Sequence, residues 1–279
     1  VLRSRLQYQG EHFVNRKGTS VCLGIFILAW GINARSATTM KTGNATKELD
    51  PAIYTNSAGE ILKYRIYIPD GTDKNAGKYP LLLFLHGAGE RGDDNRKQTV
   101  HCIKDIVTYS LEEKQPVILI VPQCPTNSNW ANYSKSPKSQ AKKNQPASPL
   151  KLAMDLCDET AKKLQVDKAR IYIAGLSMGG FGTWDAIQRR PGYFAAAIPV
   201  CGGGDTGSAA KIKDLPIWVF HGGSDTVVNP DCSRKMVKAL KDAGGKPLYT
   251  EYEGVGHNAW TKTFSNPEVL KWLFNQKKK

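Results

Sequence analysis

The chain has 279 residues, 39 Lys/Arg against 25 Asp/Glu, a formal charge of +14, 41% hydrophobic residues and six cysteines. This length and apolar share exclude a disordered chain and a disulfide-stapled miniprotein, and leave room for one full α/β core. A basic balance raises nucleic acid or an acidic surface as partner, yet apart from 135–143 and the tail Lys277-Lys278-Lys279 the excess is scattered, without an Arg-rich helix, zinc finger or RNA-binding sheet motif, so it reads as solvated surface, able to adhere to anionic polysaccharide or cell envelope, and no nucleic-acid partner is expected.

The first 37 residues read as a leader. Arg3, Arg5, Arg16 and Lys17 precede the apolar run Val21 to Trp30, and small residues follow in Ala34-Arg35-Ser36-Ala37. A basic start, a short apolar run and small residues after it make a secretory signal peptide, and about 10 apolar residues are too few to span a bilayer. The cleavage site stays open, since Ala34 leaves Ile32 and Ala37 leaves Arg35 at position −3. An uncleaved membrane anchor is the alternative to export. The leader holds five Lys/Arg and one Glu, so its removal brings the formal charge to +10. The expected organisation is a signal peptide over 1–37, a polar linker over 38–50 and a catalytic domain over 51–279, secreted or held at the cell envelope, with no stable membrane insertion after cleavage.

Beyond the linker, alternation in Ile61 to Pro69 predicts an early antiparallel strand. The runs 81–85, 117–121, 171–174, 196–200 and 217–220 are short and apolar, as strands buried on both faces of a parallel sheet are. Leu248–Tyr252 ends the series. Helices fit between them over about Val100–Lys114, Pro149–Leu164, Met178–Arg189, Asp231–Ala243 and Pro267–Gln276. Strands alternating with helices predict an α/β, doubly wound, mostly parallel sheet flanked by helices. Such sheets bind substrate beyond the carboxyl ends of their strands. Residues 126–149, rich in Ser, Asn, Lys, Gln and Pro, predict a long exposed loop on that side, either a wall of the cleft or an insertion.

One cysteine, Cys22, lies in the leader. Cys102, Cys124, Cys157, Cys201 and Cys232 show no C-x-x-C and no zinc spacing to histidine, and no metal or cofactor is expected. Cys124 and Cys201 each follow a predicted strand, which allows a pairing between them. Buried free thiols are the alternative.

Residues 175–179 read Gly-Leu-Ser-Met-Gly directly after an apolar strand and before a helical stretch. G-x-S-x-G between strand and helix is the form of a nucleophile elbow, a turn so tight that the serine is pushed into an exposed, strained position. A serine hydroxyl needs a base, and the base an orienting carboxylate. Downstream, Asp225 lies four residues past His221 at the end of the 217–220 strand in a Gly-rich turn, and His257 follows the last strand in Gly254-Val255-Gly256-His257. The order Ser177, Asp225, His257 is that of hydrolases built on such an elbow. Asp205 is the competing acid, and His221 reads as a strand-end histidine holding the Asp225 turn. The tetrahedral intermediate needs two N–H donors. Met178, after the nucleophile, and Ala88, in the glycine-flanked loop His86-Gly87-Ala88-Gly89 after the apolar run 81–85, are the candidates. His86 reads as a turn device and Glu90 with Arg91 as an ion pair fixing that loop. His101 lies in a predicted helix and is a poor base candidate. Trp260, Trp130 and Trp184 are candidates for the wall of an aromatic-binding pocket.

The blocks HGAGERGDDN at 86–95, PQCP at 122–125, RIYIAGLSMGGFGTWDA at 170–186, FAAAIPVCGGGD at 194–205, HGGSDTVV at 221–228 and GVGHNAW at 254–260 resemble the α/β-hydrolase superfamily. More closely, they resemble secreted bacterial esterases of the phospholipase/carboxylesterase or "predicted peptidase" type. These are similar to the feruloyl and acetylxylan esterases of carbohydrate esterase family 1, and more remotely to the catalytic domain of prolyl oligopeptidases. The resemblance spans about Tyr54 to Gln276 and implies a triad of Ser177, Asp225 and His257 with Ala88 and Met178 as oxyanion donors. Asn229 stands where relatives often carry proline. The implied activity is a serine carboxylesterase that cleaves acetyl or hydroxycinnamoyl esters, free or linked to polysaccharide, through an acyl-enzyme. A peptidase of the prolyl-oligopeptidase type is the alternative, although 240 residues leave no room for a gating domain. A non-catalytic binding protein of the same fold is a third reading.

Overall fold

The computed structural model describes residues 49–70, 78–131 and 148–278. These fall within one compact unit, Ala45–Lys279. The leader over 1–37, the linker up to residue 48 and the basic stretch at 135–143 lie outside the described residues.

Eight strands form one sheet: β1 (Asp50–Thr55), β2 (Ile61–Tyr67), β3 (Tyr79–Leu85), β4 (Ile118–Pro122), β5 (Val166–Leu176), β6 (Ala196–Val200), β7 (Trp218–Gly222) and β8 (Leu248–Tyr252). Their order is β1-β2-β4-β3-β5-β6-β7-β8. The first two strands are antiparallel, Asp50 opposite Ile66 and Tyr64 opposite Pro122, and β3 through β8 run parallel. The described helices are α1 (Ile103–Glu112), α2 (Ser148–Lys163), α3 (Met178–Arg189), α4 (Asp231–Asp242), α5 (Ala259–Phe264) and α6 (Pro267–Asn275). This is the expected α/β-hydrolase architecture. No helix among the described residues is long and apolar enough to cross a membrane.

The period-2 geometry of a strand sends neighbouring side chains to opposite faces. In β3, Leu81, Leu83 and Leu85 join the core that covers α2, α3 and α4, while Leu82 and Phe84 join the core under α1 and α6. Strand β5 divides likewise, Ile171 and Ile173 to one face and Tyr172 and Ala174 to the other. Burial on both faces is why these strands read as unbroken apolar runs.

Four expectations need correction. The linker was expected to extend to residue 50, but β1 begins at Asp50 and Leu49 is already buried. β1 is an antiparallel edge strand in which Tyr54 alone is buried, so it carries little apolar signal. Helix α1 starts at Ile103 instead of Val100 because Cys102 has φ 67°, outside the helical region. Cys124 and Cys201 follow β4 and β6, with β3 and β5 between them. Three strand spacings are about 14 Å, far beyond the reach of a disulfide. The five described cysteines are free, four of them buried. Within the loop expected over 126–149, Trp130 and Ala131 are buried and α2 begins at Ser148, while residues 132–147 lie outside the described residues.

The N-terminal turn of α3 is wedged against the ends of β3 and β6. A Cβ on Gly179 would lie 1.9 Å from the Leu85 carbonyl oxygen, and one on Gly180 2.4 Å from that of Val200. Gly179→Ala is therefore expected to destabilise the fold by about 3 kcal/mol or more. A urea titration checks this; an unchanged midpoint would mean that α3 is free to move away.

Candidate active site

The chain passes from β3 to β4 on one side of β3 and returns with β5 on the other, so the loops after β3 and β5 diverge around a crevice at a topological switch point. Every candidate residue sits on a loop leaving a strand's carboxyl end: Ala88 after β3, Ser177 after β5, Asp225 after β7 and His257 after β8.

Ser177 has φ 52° and ψ −115°, a conformation that costs a non-glycine residue of order 1–3 kcal/mol and must be imposed by its surroundings. Its N–H bonds the Val200 carbonyl (2.9 Å), and its own carbonyl accepts from Phe181 N–H in the first turn of α3. The hydroxyl is thereby held out of strand and helix alike. His257 Nε2 lies 2.9 Å from Ser177 Oγ, and His257 Nδ1 lies 2.7 Å from Asp225 Oδ2. The other carboxylate oxygen of Asp225 accepts the N–H groups of Val227 and Val228, both at 2.9 Å. Burial pushes the Asp225 carboxyl up, but the hydrogen bonds from His257, Val228 and Val227 outweigh it and hold the pKa below the ordinary value. An ionised aspartate facing Nδ1 puts the proton there and leaves Nε2 as an acceptor for the serine hydroxyl.

Asp205, the competing acid, is elsewhere engaged. It caps a 3₁₀ segment, accepting from Gly207 N–H at 3.1 Å and from Ser208 Oγ at 3.0 Å. His221 is buried on β7 with its ring nitrogens on Ser233 Oγ (2.7 Å) and the Val228 carbonyl (2.9 Å). It holds the Asp225 turn as expected, and its Nε2 also comes within 3.2 Å of Asp225 Oδ2.

The loop after β3 is fixed by more contacts than its glycines suggest. Gly87 N–H donates to Glu90 Oε2 (2.8 Å). The expected Glu90–Arg91 ion pair is not formed: Glu90 Oε1 lies 3.5 Å from His101 Nε2, and Arg91 donates to the carbonyls of Ala88 and Ser128. His101 precedes α1 instead of lying within it, and its ring packs on Trp260, which meets the His257 ring edge to face at 5.1 Å. Gln123, within the PQCP block, ties the loop to β4. It donates to Asp94 Oδ1 and the Glu90 carbonyl and accepts from Asn95 N–H. Its polar character just past a buried strand was the available signal. Ala88 opens a 3₁₀ turn and Met178 opens α3, so both N–H groups belong to the set that a helix cannot satisfy internally.

A cavity of about 420 Å³ opens onto Ser177 and His257. Met178, Phe181, Val227, Val228 and Trp260 give it apolar walls, and Glu90, Arg91 and Asn129 a polar side. Trp260 lines this cavity. Trp130 does not: it is fully buried, donates Nε1–H to the His86 carbonyl (3.0 Å) and packs against His86. It offers no surface to a substrate and serves as a post beneath the loop. Trp184 is fully buried too. The valines and Phe181 were not singled out from sequence, because apolar residues beside a turn look like any core. Cys201, Asp225 and His257 present ligand atoms within 4.8 Å of one another, but Asp225 and His257 are already committed to each other.

Residues 72–268 match the family described as Phospholipase/Carboxylesterase. A crystal structure of a thermostable esterase superposes with TM-score 0.75 at 39% identity, covering 83% of this chain and 64% of that one. A ferulic acid esterase superposes at TM-score 0.61 and 19% identity, over 81% and 98% of the two chains. Feruloyl esterase B of Thermothelomyces thermophilus is 24% identical over 76% of this chain and 80% of its own. The bifunctional acetylxylan esterase/xylanase XynS20E of Neocallimastix patriciarum is 25% identical over 68% of this chain, which spans a quarter of that protein's length. The chain belongs to the phospholipase/carboxylesterase family of α/β-hydrolases.

His86 gives this site a measurable pH signature. It is buried, bonded through Nδ1 to the Gly87 carbonyl and through Nε2 to Cys124 N–H. Burial is the main cause that lowers its pKa to about 4. Below the ordinary value near 6.5 the unfolded chain takes up a proton that the folded one refuses, so stability falls as the pH drops from about 6.5 towards 4, by about 3 kcal/mol in all. Urea midpoints across this range should show the slope, and His86→Gln, though less stable at pH 7, should flatten it. An equal slope in the variant would assign the loss to other groups.

Proposed function

We propose that this member of the phospholipase/carboxylesterase family is a serine carboxylesterase in which Ser177, His257 and Asp225 act as the catalytic triad. The observation that carries the reading is the continuous chain Ser177 Oγ–His257–Asp225, at 2.9 and 2.7 Å, opening on the cavity. In the proposed reaction His257 Nε2 takes the hydroxyl proton as Oγ attacks the ester carbonyl. The carbonyl oxygen gains the charge and is met by the N–H groups of Met178 and Ala88. The imidazolium then gives its proton to the departing alcohol oxygen, leaving the acyl group on Ser177. Water deprotonated by the same imidazole attacks the acyl-enzyme, the Oγ–acyl bond breaks and Oγ takes the proton back, releasing the acid. Asp225 stays ionised throughout and stabilises the imidazolium.

The substrates proposed are acetyl and hydroxycinnamoyl esters, free or attached to polysaccharide. A lining that includes Phe181, Val227 and Trp260 together with Arg91 and Asn129 suits an acyl group of low polarity and a hydroxyl-bearing alcohol. The names of the acetylxylan and feruloyl esterase relatives point the same way. Export is proposed from the basic start and apolar run before residue 37.

The test is a panel of p-nitrophenyl acyl esters, methyl ferulate and prolyl p-nitroanilides. Wild type is expected to cleave the esters, and Ser177→Ala to lose about four orders of magnitude or more in kcat/KM. Amide cleavage without ester cleavage would instead make the protein a peptidase, and full esterase activity in Ser177→Ala would remove the proposed nucleophile.

A further inference from the structure

The strand that leads into the Asp225 turn carries a second histidine, and its ring reaches the same carboxylate. His221 is completely buried near the end of β7. Its Nε2 lies 2.9 Å from the Val228 carbonyl oxygen and 3.2 Å from Asp225 Oδ2, the same oxygen that takes His257 Nδ1 at 2.7 Å. Its Nδ1 lies 2.7 Å from Ser233 Oγ, which itself lies 3.1 Å from the Gly202 carbonyl.

Counting donors fixes the ring's state. A carbonyl and a carboxylate can only accept, so the proton between them must be on His221 Nε2. Burial disfavours a second proton on the ring. With one proton on the ring Nδ1 is bare, and the single Ser233 hydroxyl proton has two acceptors in reach, Nδ1 at 2.7 Å and the Gly202 carbonyl at 3.1 Å. Asp225 then accepts three hydrogen bonds, from Val227 and Val228 N–H on Oδ1 and from His257 on Oδ2, and the His221 Nε2–H, hydrogen-bonded to the Val228 carbonyl, stands 3.2 Å from the same Oδ2.

We infer that His221 is a positioning residue for the reaction: its Nε2–H, shared between the Val228 carbonyl and Asp225 Oδ2, orients the carboxylate and sets how much of its charge is left for His257. The inference rests on the triad reading above. A carboxylate faced by two imidazole N–H groups holds the His257 imidazolium less tightly than one faced by a single imidazole, and keeps it ready to release its proton to the leaving alcohol. The other ionisable groups packed around the pair are Cys201 after β6, Cys232 on α4 and Glu251 on β8.

Two substitutions separate the ring's edges. Asparagine reproduces Nδ1 and keeps the Ser233 contact; glutamine reproduces Nε2 and can still donate towards Asp225. With ester substrate, His221→Asn is expected to lower kcat about tenfold with little change in KM. The acid limb of its kcat/KM profile should move up by about one pH unit, because the carboxylate is left more basic. His221→Gln should bring the limb back and rescue most of kcat, while Ser233→Ala, which touches only the far edge, should leave the limb in place. ¹⁵N NMR of the wild-type protein should find His221 neutral with its proton on Nε2. Urea midpoints show which variants are folded; the spectrum and Ser233→Ala decide if His221→Asn is not. A proton on Nδ1, asparagine outperforming glutamine, or an unmoved limb in folded His221→Asn would overturn the inference. Those results alongside an inactive Ser177→Ala would leave the triad standing, whereas an active Ser177→Ala would remove the triad itself.

Discussion

The contact on which the rest of the site depends is the close approach of the first turn of α3 to the ends of β3 and β6. Gly179 sits against the Leu85 carbonyl and Gly180 against that of Val200, where no side chain fits. That approach drives Ser177 into its φ 52° conformation and aims its hydroxyl away from the sheet. It also sets Met178 N–H at the start of a helix, beside the loop that carries Ala88. The strain at one residue is offset by burial on both faces of β3 and β5, which anchor the elbow from below.

Around this fixed serine the other groups are held by polar contacts to backbone. Asp225 is held by Val227 and Val228 N–H, His86 by the Gly87 carbonyl and Cys124 N–H, and the Ala88 loop by Gln123 and Glu90. Such bonds have short reach and defined direction, so they place a side chain more narrowly than apolar packing does. Burial keeps His86 uncharged, and the hydrogen bonds from His257, Val228 and Val227 keep Asp225 ionised at neutral pH.

Much of this was legible before any coordinates. Unbroken apolar runs separated by helical stretches announce a parallel sheet, and Ser177, Asp225 and His257 each follow such a run in the order the structure brings together. What escaped has physical reasons. β1 is an edge strand with one buried side chain, so no strand is legible over Asp50–Thr55. Cys124 and Cys201 follow strands that look adjacent in sequence logic, but the crossover after β4 inserts β3 and β5 between them. Trp130 resembles a pocket aromatic in a polar segment, yet its indole N–H has a buried carbonyl to satisfy beneath the loop. Glu90 pairs with His101 instead of its neighbour Arg91, a contact between segments that spacing does not reveal.

The role of Ser177 is most directly tested by trapping its covalent state. Wild-type protein treated with a serine-directed phosphonate ester, or acid-quenched during turnover of a p-nitrophenyl ester, should gain one adduct per chain, located on the peptide carrying Gly175 to Gly179 by mass spectrometry. His257→Ala should gain it far more slowly. An adduct on another residue, or steady ester turnover with Ser177 unmodified and its phosphonate without effect, would contradict the assignment of this serine as the nucleophile.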